Sequence, residues 1–296
     1  MNKNSDMKSF LLLSTAFLPL YAMAETADST IAQHHTLKEV VVNGFKQDHI
    51  SNAPMSVSVA GSTFLQRNEL NGLRDMSSVF PNLFIADYGA RQNTPIYIRG
   101  IGSKTNAPSV GLYVDGMPYF ERSVVDLDIA GISGIEVLRG PQGTLYGRNS
   151  TGGLINIYTY SPLDYQNTIA KISYGSRNDV RLGLAHYQKI APRLGLHVAG
   201  NYHRNDGFFR NIYTGKKADD LQSANAKVGL AWQAAPLWTM RLNVLFDHST
   251  QGGYPYGLYH ADDNTAKAVN YNRYSSYRRN VLSAGMNWLY KGEAFH

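Results

Sequence analysis

The feature that most constrains this 296-residue chain is a period-two alternation, held for about ten residues at a time through its second half. In "LGLHVAGNY", Leu194, Leu196, Val198, Gly200 and Tyr202 alternate with His197 and Asn201. "ANAKVGLAWQA" sets Ala226, Val228, Leu230 and Trp232 against Asn225, Lys227, Gly229 and Gln233. "WTMRLNVLFDH" sets Trp238, Met240, Leu242, Val244 and Phe246 against Thr239, Arg241, Asn243 and Asp247. "NVLSAGMNWLY" sets Leu282, Ala284, Met286, Trp288 and Tyr290 against Ser283, Gly285 and Asn287. Two earlier stretches, about 168–174 and 180–190, follow the rule less cleanly. Alternate side chains leave a strand on opposite faces, so each of these six strands has one apolar and one polar face.

A soluble sandwich also alternates, but two details favour a membrane wall. Aromatic rings (Tyr202, Trp232, Trp238, Phe246, Trp288, Tyr290) stand near strand ends on the apolar face, like an interfacial girdle. The connections differ in kind: tight proline turns at 191–193 and 235–236, a short turn at 175–179, and long loops near 206–221 and 249–277. If the first strand rises from the periplasm, both proline turns fall there and both long loops fall outside, as in an outer-membrane barrel.

The N-terminus agrees with export. Lys3 and Lys8 precede the apolar run "FLLLSTAFLPLYA", and Ala22-Met23-Ala24 forms an A-x-A cleavage site, so residues 1–24 read as a signal peptide. That run is too short to span a bilayer, and Pro19 interrupts it. With 28 Lys+Arg against 22 Asp+Glu the chain is basic, yet the charges are scattered and no basic helix appears, which argues against nucleic acid. The absence of cysteine excludes disulfides and thiol catalysis, and no nucleophile, base or metal cluster stands at enzymatic spacing.

Residues 48–161 lack the barrel repeat and read as a compact α+β domain. "APMSVSVAG" is a strand, a helix opens at Thr63 with Gln66 in capping-box register, and a second helix near 73–79 is ended by Pro81. "LFIADYG", "PIYIRGI" and "SVGLYVDGMPY" are strand-like, the last turning at Asp115-Gly116. "IEVLRGPQGTLYGRNSTGGLINIYT" carries five glycines between two β-like ends. It is not a phosphate loop, because Gly153 stands where a P-loop needs its lysine and Gln142 breaks a G-x-G-x-x-G order.

"PIYIRGIG", "VGLYVDGMPY" and "IEVLRGPQGTLYGRNSTGGLINIYT" resemble the plug domain of TonB-dependent outer-membrane receptors, and "LKEVVVNG" (37–44) resembles the TonB box that precedes it. The resemblance covers essentially the whole mature chain. It implies a signal peptide (1–24), an extension with the box (25–47), a plug (48–161) and the first strands of a transmembrane β-barrel (162–296). About six strands of a 22-stranded barrel are present, so the chain is read as truncated. No cofactor is implied, and no enzyme activity.

The same resemblance implies function and site residues. Leu37, Lys38, Glu39, Val40, Val41, Val42 and Asn43 would add as a strand to TonB, which ExbB and ExbD energise; alternatively, Val40–Val42 is the plug's first strand. Arg99, Arg139 and Arg148 would meet carboxylates on the barrel wall; Arg99 and Arg139 have the alternative of ion pairs inside the plug, with Asp115 or Glu136. Glu293 is the one glutamate after residue 160, so glutamate partners are not visible here. Ligand contacts are assigned to Arg91, Tyr119, Phe120 and Arg122 at outward plug apices and to Tyr254, Tyr256, Tyr259 and Arg273 in the Tyr-rich loop. Aromatic and cationic groups together suit an anionic ring-bearing iron chelate. The expectation is a receptor in the outer membrane of a Gram-negative bacterium, in contact with its lipid, for a ferric siderophore or other iron complex, with a receptor for haem, cobalamin or an oligosaccharide, or a non-functional receptor fragment, as alternatives.

Overall fold

The computed structural model describes residues 41–42, 48–49, 56–68, 70, 72–103, 107–126, 128–253, 258–260, 262, 265–267, 276–290 and 292. The signal segment, Leu37, Lys38, Glu39, Val40 and Asn43 lie outside them. Of the box, Val41 and Val42 form strand β1, which pairs antiparallel with β2 (Asp48–His49).

The plug is built on a five-stranded sheet. β3 (Ser56–Gly61) leads into a helix, Ser62–Arg67, and a 3-10 helix, Arg74–Ser78. Gly61, not a hydroxyl residue, caps the first helix, and no side chain closes the cap, so the Thr63/Gln66 capping box is not formed. The second sheet, of β4 (Leu83–Ile85), β5 (Ile96–Ile98) and β6 (Ile101–Gly102), is small and antiparallel. β7 (Val110–Val114) and β8 (Met117–Tyr119) form the expected hairpin. Its turn residues Asp115 and Gly116 have φ of 51° and 79°, the left-handed pair that matches strand twist. The glycine-rich stretch becomes β9 (Ile132–Arg139), a four-residue helix Gly143–Tyr146 and β10 (Gly153–Thr159). The sheet order is β3-β9-β10-β7-β8, with β10 parallel to β7. Ile98, Val110, Leu112, Val114, Ile135, Val137, Ile155 and Ile157 fill its core. Each such side chain contributes roughly 1.5–3 kcal/mol on burial. Leu245 is the one wall residue in that cluster, so the plug's apolar core is nearly self-contained.

The remaining strands form a wall. β11 (Asn167–Gly175), β12 (Asp179–Ala191), β13 (Leu194–Asn205), β14 (Leu221–Ala235), β15 (Trp238–Gly252) and, after a small hairpin of β16 (Leu258–His260) and β17 (Thr265–Lys267), β18 (Ser276–Tyr290) pair antiparallel in chain order. The faces are inverted relative to a soluble sheet. Leu184, Val198, Val228, Phe246, Leu282, Met286 and Trp288 are exposed, whereas His197, Asn225, Lys227, Asn243 and Asp247 are buried. A sheet that hides its polar side and shows its apolar side is stable only with lipid outside. No helix among the described residues is long and apolar enough to cross a membrane, which leaves the crossing to strands.

Candidate functional site

The buried polar face of the wall is where the plug docks, through hydrogen bonds and ion pairs and through an apolar patch in which Ala130 and Tyr160 pack on Ala185, Tyr187 and Ala199. Near the tight-turn end, the Asp115 turn reaches the wall. Lys227 of β14 donates to the Asp115 carboxylate and, at 3.1 Å, to Thr159 Oγ1. Thr159 donates to the same carboxylate through its backbone N–H (2.7 Å) and its hydroxyl (2.8 Å). Asn287 of β18 donates to the Asp115 carbonyl at 2.5 Å. Burial alone would raise the Asp115 carboxyl, but Lys227 and the Thr159 donors outweigh it and hold it below its ordinary range. Backbone fits there too. Gly131, at φ +70°, lies so close to Tyr187 that an added Cβ would sit 2.0 Å from its hydroxyl oxygen. That hydroxyl donates to the Gly131 carbonyl at 3.2 Å.

Halfway up, Asp128 is the centre. Asn225 and Asn201 donate to its carbonyl at 2.8 and 3.3 Å, and Ser223 to its carboxylate at 3.2 Å. Arg91 donates to the Asp128 carboxylate at 2.8 Å, lies 3.4 Å from Asp126, and donates to Ser223 Oγ at 2.8 Å. Burial opposes charge on both partners. Even so, Arg91 holds the Asp128 carboxyl low, and Asp126 and Asp128 raise the guanidinium. Arg279 of β18 pairs with Asp247 at 2.8 Å and donates to the carbonyls of Ser123 and Asp126. At the long-loop end, Gln251 donates to the Gly89 carbonyl and accepts from the Arg91 N–H, while the Gln92 N–H donates to the Tyr277 hydroxyl. Beside Asp128 a cavity of about 130 Å³ separates plug from wall, lined by Lys171, Arg181, Asn201 and His203 among others.

The expected site residues are distributed differently. Arg91 and Tyr119 are 4% exposed and lie between plug and wall. Polar apex residues look free in sequence; here strands more than a hundred residues away cover them. Phe120 is 38% exposed and stacks under the Arg148 guanidinium at 3.9 Å. The side chains of Arg122 and Tyr259, and residues Tyr254, Tyr256 and Arg273, lie outside the described residues. Arg139 donates to the Pro81 carbonyl and to Ser56 and Ser58, all within the plug, and Arg99 is exposed beside it. The described hydrogen bonds of Arg139 stay inside the plug, and Arg148 meets Phe120 there. Among the described residues the ion pair that crosses the interface joins Asp115 of the plug to Lys227 of the wall; Asp126 and Asp128 pair with Arg91 inside the plug, and Arg279 pairs with Asp247 inside the wall, reaching the plug at carbonyls. Nothing in their sequence spacing joins these residues; only the register of the strands does.

The fold and this interface define a class: a plug docked on the polar face of membrane-spanning β-strands. Comparison with known proteins takes this further. Residues 49–154 match the TonB-dependent Receptor Plug Domain family. The pesticin receptor of Yersinia pestis is 35% identical over 228 residues, covering 74% of this chain and 32% of that one. Its counterpart from Yersinia enterocolitica (serotype O:8 / biotype 1B) is 32% identical over 223 residues, with the same coverage. The ferric yersiniabactin uptake receptor of Yersinia pestis is 25% identical with a TM-score of 0.70, over 82% of this chain and 39% of that one. The ferripyoverdine receptor of Pseudomonas aeruginosa shares the fold at 17% identity, with a TM-score of 0.67 over 84% and 34% of the two chains. This chain spans about a third of the length of the curated relatives it matches. It belongs to the TonB-dependent receptor family, which consists of outer-membrane transporters rather than enzymes.

Proposed function

We propose that the protein takes up a ferric siderophore or similar iron chelate across the outer membrane of a Gram-negative bacterium, driven by TonB with ExbB and ExbD. The carrying observation is the division of forces: a large apolar core holds the plug together, whereas hydrogen bonds, ion pairs and one small apolar patch around Tyr160 and Tyr187 hold it to the wall. A polar interface can be released into water without exposing the plug's core. The 130 Å³ cavity is room for a few waters and far too little for a chelate, so passage requires the plug to move. Support for the substrate class comes from the relatives, among them the ferric yersiniabactin and ferripyoverdine receptors.

TonB would engage 37–43 by strand addition, with Val41 and Val42 giving up their short ladder to β2. The experiment is uptake of radiolabelled ferric chelates, haem and cobalamin by cells with and without TonB. Val41→Pro removes a backbone donor from the added strand and should abolish uptake while leaving surface binding intact. Full uptake by that variant would remove the box assignment; equal uptake without TonB would remove the whole reading.

A further inference from the structure

The cavity between plug and wall has two unlike sides. From the plug it is lined mainly by Leu65, Leu70, Ile129 and Ile132, and from the wall by Lys171, Arg181 and His203. Strand register explains the space. The inward residues of β12 are Arg181, Gly183, Ala185 and Tyr187, and Gly183 stands opposite Lys171 of β11 and Asn201 of β13 without a side chain of its own. A Cβ added there would lie 3.1 Å from Asn201 Oδ1 and 3.8 Å from the Lys171 Cβ. The acids nearby are already engaged: Asp128 by Arg91 at 2.8 Å, and Asp179 by Arg181 at 2.9 Å.

Two wall groups keep unused donors. His203 is 8% exposed, and neither ring nitrogen makes a hydrogen bond among the described residues, although Nε2 lies 3.3 Å from the Asp179 carboxylate. A neutral imidazole carries one N–H in either tautomer, so one buried donor lacks an acceptor. Arg181 holds Asp179 through Nε and Nη2, and no described hydrogen bond uses its Nη1. A carboxylate offers two acceptor oxygens, one for each donor, and its charge strengthens both bonds. Its carbon frame then meets the leucines and isoleucines, the usual division of labour in a small-molecule pocket. Size limits that frame. The cavity is about 130 Å³, and an apolar protein cavity of about 150 Å³ holds one benzene ring. A cation would meet Arg181, and a carboxylate without a ring would leave the apolar side empty.

We propose that this cavity binds a small aromatic monocarboxylate, its carboxylate on Arg181 and His203 and its ring against Leu65, Leu70, Ile129 and Ile132. Bound there, the ligand touches plug and wall at once and ties one to the other. The proposal rests on the geometry between plug and wall and not on the uptake reading, so the two fail separately. The test uses the full protein in detergent micelles, with benzoate as the probe and binding read by a ligand-observed NMR titration. Benzamide, benzylamine and acetate are the controls, and each should bind at least about tenfold more weakly than benzoate. Gly183→Leu fills the space and His203→Leu removes a donor; each should weaken benzoate about tenfold or more. A tryptophan-fluorescence melt like that of the wild type reports that a variant is folded. Benzoate should also slow amide exchange at 128–132 in the wild type, and not in Gly183→Leu. Absence of saturable benzoate binding would overturn the site. Equal binding of benzamide or benzylamine would overturn the carboxylate contact, and equal binding of acetate would overturn the ring pocket. Unchanged benzoate binding by folded Gly183→Leu would overturn the location. If that variant fails the melt, the wild-type exchange decides: no slowing at 128–132 on adding benzoate would overturn the location equally.

Discussion

Replacing Lys227 by Met tests whether the plug is held by charge. The Asp115 carboxylate is 8% exposed as a residue, and Lys227 is the cation beside it. Without Lys227 the carboxylate keeps its two Thr159 donors but no opposite charge. Breaking a buried pair from one side costs about 3–5 kcal/mol, because the other charge stays behind. Adding Asp115→Asn should recover most of that loss, since two neutral groups no longer suffer burial of a charge. The assay is hydrogen exchange on a peptide covering 154–160, whose Thr159 amide reports the Asp115 contact. Lys227→Met should speed its exchange by roughly two to four orders of magnitude, and the double variant should exchange close to wild type. The pH dependence should also invert. In the wild type the Asp115 carboxyl is depressed, so its stabilisation is full above the ordinary carboxylate range and is lost as pH falls below it. In Lys227→Met burial dominates and raises that carboxyl; stability is then present at low pH and lost as pH rises through the raised value. An acceleration under tenfold, or equal losses in the single and double variants, would refute the charge-locked plug.

Arg91→Met leaves the Asp126 and Asp128 carboxylates buried without their shared guanidinium, and should loosen 87–93 from Gln251 and Tyr277 by a similar 3–5 kcal/mol. Proteolysis at 87–93 reads this, and an unchanged cleavage rate would show that the Arg91 ion pairs do not hold this apex. Gly131→Ala puts a Cβ at φ +70° and against Tyr187, and should cost about 1–3 kcal/mol in a urea melt followed by tryptophan fluorescence. Tyr187→Phe removes the nearest atom, so the pair should lose less than Gly131→Ala alone. Between pH 5 and 8 the plug's protection factors in the wild type, with the intrinsic rise of amide exchange with pH divided out, should be flat, because the carboxyls of Asp115 and Asp128 are both depressed; protection lost as pH falls from 8 to 5 would mean that another group controls docking.

The wall was legible because its signal is local. Period two assigns faces without any knowledge of neighbours, and lipid outside merely inverts which face is hidden. The six strands and the Asp115-Gly116 hairpin therefore stand where the alternation and the turn residues put them. The lock was not legible. Asp115 and Lys227 are 112 residues apart, and Arg91 and Ser223 are 132 apart, joined only by strand register and by how the plug sits in the wall. An Arg at a loop apex carries the same local pattern whether it faces a ligand or a buried carboxylate. The capping box failed for a smaller reason: Thr63 falls inside the helix, and Gly61 already supplies the extended N-cap geometry.

The direction of charge at the interface has a consequence for release. The plug's three carboxylates sit on short connections: Asp115 on a hairpin turn, Asp126 and Asp128 on the segment before β9. The wall's Lys227 sits within a long ladder, fixed by backbone pairing to β13 and β15 on both sides, and Arg279 lies on β18, paired to β15. Pulling on the plug would move Asp115 and leave Lys227 in place, whereas Arg279 keeps its wall partner Asp247. On the uptake reading proposed above, the vacated Lys227 would put one unpaired positive charge into the opened space. An anionic chelate entering there would meet a cation whose partner had departed, an attraction absent while Asp115 is docked.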